Sequence, residues 1–181
     1  MTVRGRRDVP SLRTVAVVRA FRRSLAQTSE RGDFRVAHYS LQGDHAHLIV
    51  EARSKRALAN GMNSIGARLA RAVNRVTARR GPVLDGRYHH RVPGTPREVR
   101  RALAYALLNA RRHLQKQGRR TILPSRVPFD PASSARWFDA WRPEVARRIP
   151  GSRASPEVAR PRTWLLRVGW RRQGLIDPET G

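Results

Sequence analysis

The chain lacks cysteine altogether, and lysine, acidic residues and long apolar runs are scarce in it. Without cysteine, its 181 residues can form neither a disulfide scaffold nor a thiolate zinc site. No stretch approaches the roughly 18 consecutive apolar residues of a membrane-spanning helix. The charged N-terminus also has no apolar signal core. We therefore expect a cytoplasmic protein without a membrane anchor.

The scarcity of acidic residues leaves a large positive charge. There are 13 acidic and 38 basic residues, and the formal net charge is +25. Only Lys55 and Lys116 are lysine, and the other basic residues are arginine, whose planar guanidinium binds phosphate and stacks on bases. This charge indicates a nucleic acid as the partner and a location at the nucleoid. A basic membrane-surface protein is the weaker alternative, because the charge is not confined to one helix.

Hydrophobic periodicity predicts an α+β fold. Alternating and helical patterns predict strands at 2–5, 34–41 and 45–52, and helices at 12–29, 54–80 and 96–116. Ser11 is the expected N-cap of the first helix. Within 34–41, simple alternation places Phe34, Val36, His38 and Ser40 on one face. The element order predicts a ferredoxin-like antiparallel sheet with the helices packed on one face, followed by a helical C-terminal extension.

The composition changes after Gly118, which divides the chain into a domain at 1–118 and an extension at 119–181. The extension begins with a proline-containing linker and is rich in arginine. All four tryptophans lie in the extension: Trp137, Trp141, Trp164 and Trp170. They either pack the extension onto the domain or stack on unpaired bases.

The most informative motif is the run from Asp44 to Val50, in which His45 and His47 are separated by one residue. Because side chains alternate along a strand, both imidazoles point to the same face. Two imidazoles on one face of a rigid strand can bind one metal ion. The alternative is that they are ordinary half-buried histidines, since a short motif alone has a high false-positive rate.

A second group of polar residues follows on the helix at 96–116. Tyr105 and Asn109 lie one turn apart on its polar face, among arginines. A tyrosine hydroxyl can attack a phosphodiester as a nucleophile, and the amide oxygen of Asn109 can reach the same divalent ion as the histidines. The arginines that we expect to hold the strand are Arg68, Arg71, Arg75, Arg79, Arg101 and Arg112. For the row from Arg68 to Arg79, a solvated charged helix face is an equally good explanation.

These motifs together resemble a known family. The run 43–50, the helix end at Asn74, the run 86–89 and the run 105–109 are similar to motifs of the HUH single-tyrosine transposases, most closely the REP-associated branch. The resemblance covers residues 34–113. The chain departs from the family pattern at Asn109-Ala110, where proline usually follows the asparagine. It also departs at Leu84-Asp85, where an aromatic residue is usual.

The resemblance implies a ferredoxin-like fold and an activity. Members bind single-stranded DNA, often at a hairpin, and use Mg²⁺ or Mn²⁺. Their tyrosine attacks the scissile phosphate to give a 5′-phosphotyrosine and a free 3′-OH, and a later attack rejoins the strands. By this resemblance Tyr105 is the nucleophile, and His45, His47 and Asn109 are the metal ligands. Monomeric and homodimeric relatives both exist, so the oligomeric state stays open.

Two other functions fit parts of the pattern. A domesticated protein that binds single-stranded or hairpin nucleic acid without cleaving it would explain the charge and the fold. A ribosome-associated basic protein would explain the charge alone. Neither needs two histidines, a tyrosine and an asparagine together, and the sequence therefore favours the metal-dependent nicking and strand-transfer enzyme.

Overall fold

The centre of the molecule is a four-stranded antiparallel sheet in the order β1, β4, β3, β2, which confirms the predicted α+β class. This computed structural model describes residues 1–116, 129–147 and 155–177, and within 110–116 the backbone alone. The strands are β1 (Thr2–Arg4), β2 (Glu30–Arg31), β3 (Phe34–Leu41) and β4 (His45–Ala52). The helices are α1 (Val15–Ala26), α2 (Lys55–Thr77), α3 (Pro96–Lys116), α4 (Pro143–Ala146) and α5 (Trp164–Arg167). None of the helices in these ranges has the length and apolar character to cross a membrane.

The outer edge of β1 is covered by the segment 84–89. Backbone hydrogen bonds join Thr2 and His89 in both directions, at 2.8 and 2.9 Å, and Gly5 forms a bridge with Leu84. With this segment as the outermost member, the order is 84–89, β1, β4, β3, and α1 and α2 are the crossovers. This is the βαββαβ arrangement of ferredoxin-like folds.

Helices α1 and α2 pack side by side on one face of the sheet, as predicted. The main core lies between them and the strands and includes Phe21, Leu25, Tyr39, Leu41, Leu48, Ile65, Leu69 and Val73. Helix α1 begins later than predicted, because Thr14 and not Ser11 is its N-cap: the Thr14 hydroxyl accepts a hydrogen bond from the Val17 N–H at 3.3 Å. Leu12 is fully buried just outside the helix.

Helix α3 lies on the opposite face of the sheet, so the prediction that the helices share one face is wrong for α3. Its buried side chains form a second core with the sheet and the extension, which includes Ala37, Val99, Leu103, Leu107, Phe138, Trp141 and Trp170. The extension therefore supplies the apolar layer that covers this face. The position of α3 matters because it carries Tyr105 and Asn109.

A β-bulge at Ala37 changes which side chains of β3 share a face. Val36 pairs with Val50, but the next paired residue is His38, opposite Ile49. The extra residue shifts the alternation. Val36 and Tyr39 therefore lie in the main core, whereas His38 contacts Phe138 on the α3 face. The predicted single face for Phe34, Val36, His38 and Ser40 is wrong for this reason.

The described part of the extension closes the edge of β3 that β2 leaves unpaired. The Leu41 N–H donates to Ala132 O at 2.8 Å, the Ser134 N–H to Tyr39 O at 3.0 Å, and the Ala159 N–H to Val36 O at 2.9 Å. These bonds satisfy backbone groups that would otherwise offer a template for strand pairing. The predicted domain boundary near residue 118 lies outside the described residues.

One buried carboxylate ties the extension to the sheet and α1. Glu157 accepts hydrogen bonds from Arg22 Nε at 3.0 Å, from the Tyr39 hydroxyl at 2.8 Å and from Trp137 Nε1, and its side chain is 5% exposed. Burial, and then the negative charge of Glu157, raise the pKa of the Tyr39 hydroxyl. Tyr39 is therefore a structural tyrosine that stays protonated.

We expect Glu157→Ala to lower the free energy of unfolding by about 3 kcal/mol, because it leaves a partly buried guanidinium without its partner. Urea denaturation at pH 7, followed by tryptophan fluorescence, measures this change. Glu144→Ala removes an exposed carboxylate of the same extension and is the control, with an expected change within about 0.5 kcal/mol. Equal losses in the two variants would contradict the assigned role of Glu157.

Candidate active site

The two histidines of the motif converge on one point. They lie on β4, which alternates as expected: Ala46 and Leu48 enter the main core, and His45 and His47 face α3. The Nε2 atoms of His45 and His47 are 3.0 Å apart. Two imidazole lone pairs this close repel each other unless a proton or a cation lies between them. One ring can donate its Nε2–H to the other, and loss of that shared proton would leave two lone pairs directed at one point, where a cation can bind.

The outer nitrogens of both rings are held by neighbouring side chains. His45 Nδ1 lies 2.6 Å from Asp44 Oδ1, and His47 Nδ1 lies 3.1 Å from the Thr2 hydroxyl on β1. The hydrogen bond with His45 holds the pKa of the Asp44 carboxyl below its usual value. Histidines that bind metals usually have this second partner, because it fixes the ring and leaves the opposite nitrogen as the ligand.

Tyr105 reaches the histidine pair from α3. Its ring centroid is 4.9 Å from that of His47, and the side chain remains 44% exposed. The predicted capping box starts this helix: the Glu98 N–H donates to the Thr95 hydroxyl at 3.3 Å, and the Glu98 carboxylate accepts from the Gly94 N–H at 2.9 Å. The apolar stripe of α3 on the sheet then directs Tyr105 towards β4. The sequence motif and the fold thus bring Tyr105 and His47 together.

Asn109 lies one turn after Tyr105 but is not on a solvated face. Its side chain is only 2% exposed, because the sheet and the extension bury this part of α3. The Nδ2 atom of Asn109 is buried and has no hydrogen-bond partner among the described residues. A buried amide group without a partner costs free energy, and a bound ligand can supply the missing interaction. Because Nδ2 is a donor, its missing partner is an acceptor such as a phosphate oxygen, whereas a cation would bind the amide oxygen.

The donor set fits a divalent ion. The Nε2 atoms of His45 and His47 converge on one point and could both act as nitrogen ligands of one ion there. Among the side chains that the structure describes, at 1–109, 129–147 and 155–177, no cluster of three histidines, cysteines or carboxylates could hold a metal ion. Of the described side chains, the amide of Asn109 is the third ligand that the motif resemblance implies. Two imidazoles and an amide oxygen are ligands that Mn²⁺ and Mg²⁺ accept.

A large cleft adjoins the histidine pair. It has a volume of about 1230 Å³ and follows β4 from His47 to Ala52, between the start of α3 and α5. Its apolar lining includes Ile49, Val99, Leu165 and Leu166. Lys55 and Arg101 add positive charge at its rim, and both are exposed. The five residue steps of β4 from His47 to Ala52 span about 17 Å.

The other predicted strand-holding arginines do not line this cleft. Arg68, Arg71 and Arg75 lie on α2, which packs on the sheet face opposite to His45 and His47, and Arg79 follows just after the end of that helix. Arg79 is bound to Asp8 at 2.7 Å. The side chain of Arg112 lies outside the described side chains. Among the predicted arginines that can be placed, only Arg101 is brought to the site.

The α2 arginines nevertheless form a concentrated positive surface. Helix α2 has no acidic residue, and Arg71 and Arg75 are exposed without an ion pair to any residue that the structure describes. Burial, and then repulsion from Arg31 and Arg71, lower the pKa of Arg68. The surface is therefore available for a polyanion on the side of the molecule away from Tyr105.

Sequence reasoning missed Thr2 and Glu51. Thr2 fixes the ring of His47 from 45 residues away, and no local pattern marks such a contact. Glu51, on the same face of β4 as the histidines, accepts hydrogen bonds from the Arg162 and Thr163 N–H groups at 2.8 and 2.9 Å. The only available signal was the period of two that places Glu51 in line with His45 and His47.

Comparison with known proteins adds no relative. A scan against models of protein families, a search of curated proteins and a search of solved structures found no match to this chain. The geometry of the site and the similarity of its motifs are therefore the two indications of function.

Proposed function

We propose that this chain nicks single-stranded DNA and transfers the strand through a 5′-phosphotyrosine intermediate on Tyr105. One observation carries the proposal: a tyrosine from one element and a converging histidine pair from another meet beside a positively rimmed cleft. A protein that only binds nucleic acid has no need of this convergence.

The covalent step follows from the chemistry of the phenol. The Tyr105 oxygen attacks the scissile phosphorus, and its proton leaves to solvent. The bond from phosphorus to the 3′ oxygen breaks, and that oxygen takes the electron pair and a proton to become a 3′-OH. The new phosphodiester keeps the strand bound through its 5′ phosphate, so that a later attack by another 3′-OH can release Tyr105 and join the ends.

His45, His47 and Asn109 are the residues that would hold a divalent ion. Such an ion, when bound, polarises the non-bridging oxygens of the phosphate and stabilises the charge that develops on them. The protein itself contributes orientation: Asp44 and Thr2 fix the two rings, and α3 fixes Tyr105 beside them. Because both rings are fixed before the substrate arrives, little reorganisation is required during the reaction.

The two positive surfaces have separate roles in this proposal. The scissile single strand lies in the cleft, where Arg101 and Lys55 contact its phosphates. The α2 surface lies on the other side of the sheet and contacts the backbone of a flanking hairpin stem. Phosphate contacts of this kind position the DNA without reading its sequence.

We expect Arg71→Ala/Arg75→Ala to weaken hairpin binding and to reduce the slope of log K against log salt by about 2, since two phosphate contacts are lost. Cleavage at saturating DNA should be unchanged. Fluorescence anisotropy at several salt concentrations gives the slope. Arg142→Ala/Arg147→Ala removes the same charge from the extension and serves as the control. An equal slope change in the control would contradict a specific α2 surface.

The proposal is tested with labelled single-stranded hairpin oligonucleotides and Mg²⁺ or Mn²⁺. A 3′ label should move with the protein on a denaturing gel, and a 5′ label should appear in a shorter fragment that a polymerase can extend from its 3′-OH. Adducts on the 5′ fragment instead would contradict the polarity. Tight binding without any adduct would favour the non-catalytic binding protein.

A further inference from the structure

Trp164 differs from the other three tryptophans in its surroundings. Trp141 and Trp170 are buried in the second core, where their indole N–H groups donate to Ala135 O and Leu166 O. Trp137 donates to Glu157. Trp164 is 52% exposed, and the adjacent Val168 is 48% exposed. Because tryptophan is highly buried on average, an exposed ring beside a second apolar side chain points to a binding partner.

The exposed ring is held in place from three sides. Thr163, the residue before it, caps α5 and is bound to Glu51 of β4 by its N–H at 2.9 Å and its hydroxyl at 2.6 Å. The Trp164 ring rests on Gly169, where an added Cβ would lie 2.5 Å from a ring atom. The Arg172 guanidinium lies 5.1 Å from the ring centroid. The ring is thus anchored to the strand that carries His45 and His47.

The anchored ring belongs to a segment that lines one wall of the cleft leading to Tyr105, and the ring itself lies outside that lining. Thr163, Leu165 and Leu166 line this cleft together with His47 and Tyr105. Along β4, His47 and Glu51 are four residues apart, which corresponds to about 13 Å. A single strand whose scissile phosphate is at Tyr105 and that leaves the cleft past Glu51 would reach the exposed Trp164 ring within a few nucleotides.

The positive charge around Trp164 indicates which class of partner would bind there. Residues 155–177 contain five arginines and only two acidic residues, Glu157 and Asp177. Both acidic side chains are turned inward, with 5% and 15% exposure. Arg167 and Arg172 are exposed beside the ring. Arg162 and Arg171 pair with Glu30 and Asp139, whereas Arg172 lies over the ring. An aromatic platform with an arginine beside it suits a nucleobase whose phosphates lie alongside.

We propose that Trp164, with Arg172, is a stacking site for one unpaired base of a single DNA strand lying in the cleft. This inference rests on the proposed function, which identifies the ligand in the cleft as single-stranded DNA. Stacking on an aromatic ring is sequence-tolerant, because every base has a π-face. The site would fix the register of the strand relative to Tyr105 without reading its sequence.

The first test uses the wild-type protein and short single-stranded oligonucleotides in EDTA, so that binding is measured without cleavage. Single abasic positions are introduced one at a time. We expect one position, or two neighbouring positions, to lose about tenfold in affinity, because one stacked base is removed. Uniform affinity along the oligonucleotide would overturn the proposal. This experiment measures binding without cleavage. Its result therefore tests the stacking site separately from the proposed nicking activity.

The second test compares Trp164→Leu with Trp164→Phe. The leucine variant should lose about tenfold in affinity and its dependence on the abasic position, whereas the phenylalanine variant should keep most of both. The salt slope should be unchanged in each, because no phosphate contact is removed. Val168→Ala is the control for the loss of exposed apolar surface, and thermal unfolding checks each fold. A native-like leucine variant with wild-type affinity would overturn the proposal, as would a phenylalanine variant no better than leucine.

Discussion

Tyr105→Phe is expected to abolish the covalent protein–DNA adduct while leaving DNA affinity within about twofold of wild type. The substitution removes only the hydroxyl oxygen that attacks phosphorus and keeps the ring that packs against His47 at 4.9 Å. Without a nucleophile the reaction has no alternative route on the protein, so the loss should exceed about 1000-fold. The measurement is a denaturing gel of labelled hairpin DNA with Mg²⁺ or Mn²⁺, with anisotropy for affinity.

Tyr88→Phe provides the matched control. The chain has only three tyrosines, and Tyr88 is the one besides Tyr105 that is not fully buried. Tyr39 is fully buried and bound to Glu157, so its hydroxyl cannot reach DNA. Tyr88 is half-buried, lies beside the β1 edge and packs against the main core. We expect full adduct formation by Tyr88→Phe. If Tyr105→Phe still formed the adduct, the nucleophile would be assigned to the wrong residue.

His47→Ala is expected to lower metal-dependent cleavage by at least about 100-fold. It removes one of two nitrogens that converge at 3.0 Å and leaves His45 as a single imidazole ligand, which binds a divalent ion weakly. The stimulation of cleavage by Mn²⁺, titrated from metal-free protein, reports the effect directly. The half-maximal Mn²⁺ concentration should rise strongly or saturation should vanish.

His89→Ala is the control for His47→Ala, since the His89 side chain is exposed and only its backbone pairs with β1. Its Mn²⁺ titration should match that of wild type. Unchanged cleavage and Mn²⁺ dependence in His47→Ala would overturn the metal site and leave the histidine pair as a structural contact between β4 and α3.

The sequence predicts those elements whose signal is local. The hairpin of β3 and β4, the long α2 and the capped α3 all follow from alternation, helical stripes or the Thr95–Glu98 box. The bulge at Ala37 could not be predicted, because an extra residue in β3 leaves no mark in the hydrophobic pattern. That single residue decides that His38 faces the α3 side of the sheet.

The candidate site, too, could be predicted from the sequence only where the signal is local. The alternation of β4 was enough to place His45 and His47 on one face, and their convergence agrees with that prediction. The burial of Asn109 depends on the extension that covers α3, and the separation of Arg71 and Arg75 from the cleft depends on which sheet face each helix occupies. Both are long-range consequences of packing that helical periodicity does not contain.

The central claim is most directly tested by locating the covalent bond. After reaction with a hairpin oligonucleotide and Mn²⁺, the adduct is digested with nuclease and trypsin and analysed by mass spectrometry. Cleavage after Arg101 and Arg111 gives peptide 102–111, in which Tyr105 is the only tyrosine. We predict that this peptide carries a nucleotide through its tyrosine oxygen. A nucleotide on any other peptide, or tight DNA binding with no modified peptide at all, would contradict the account.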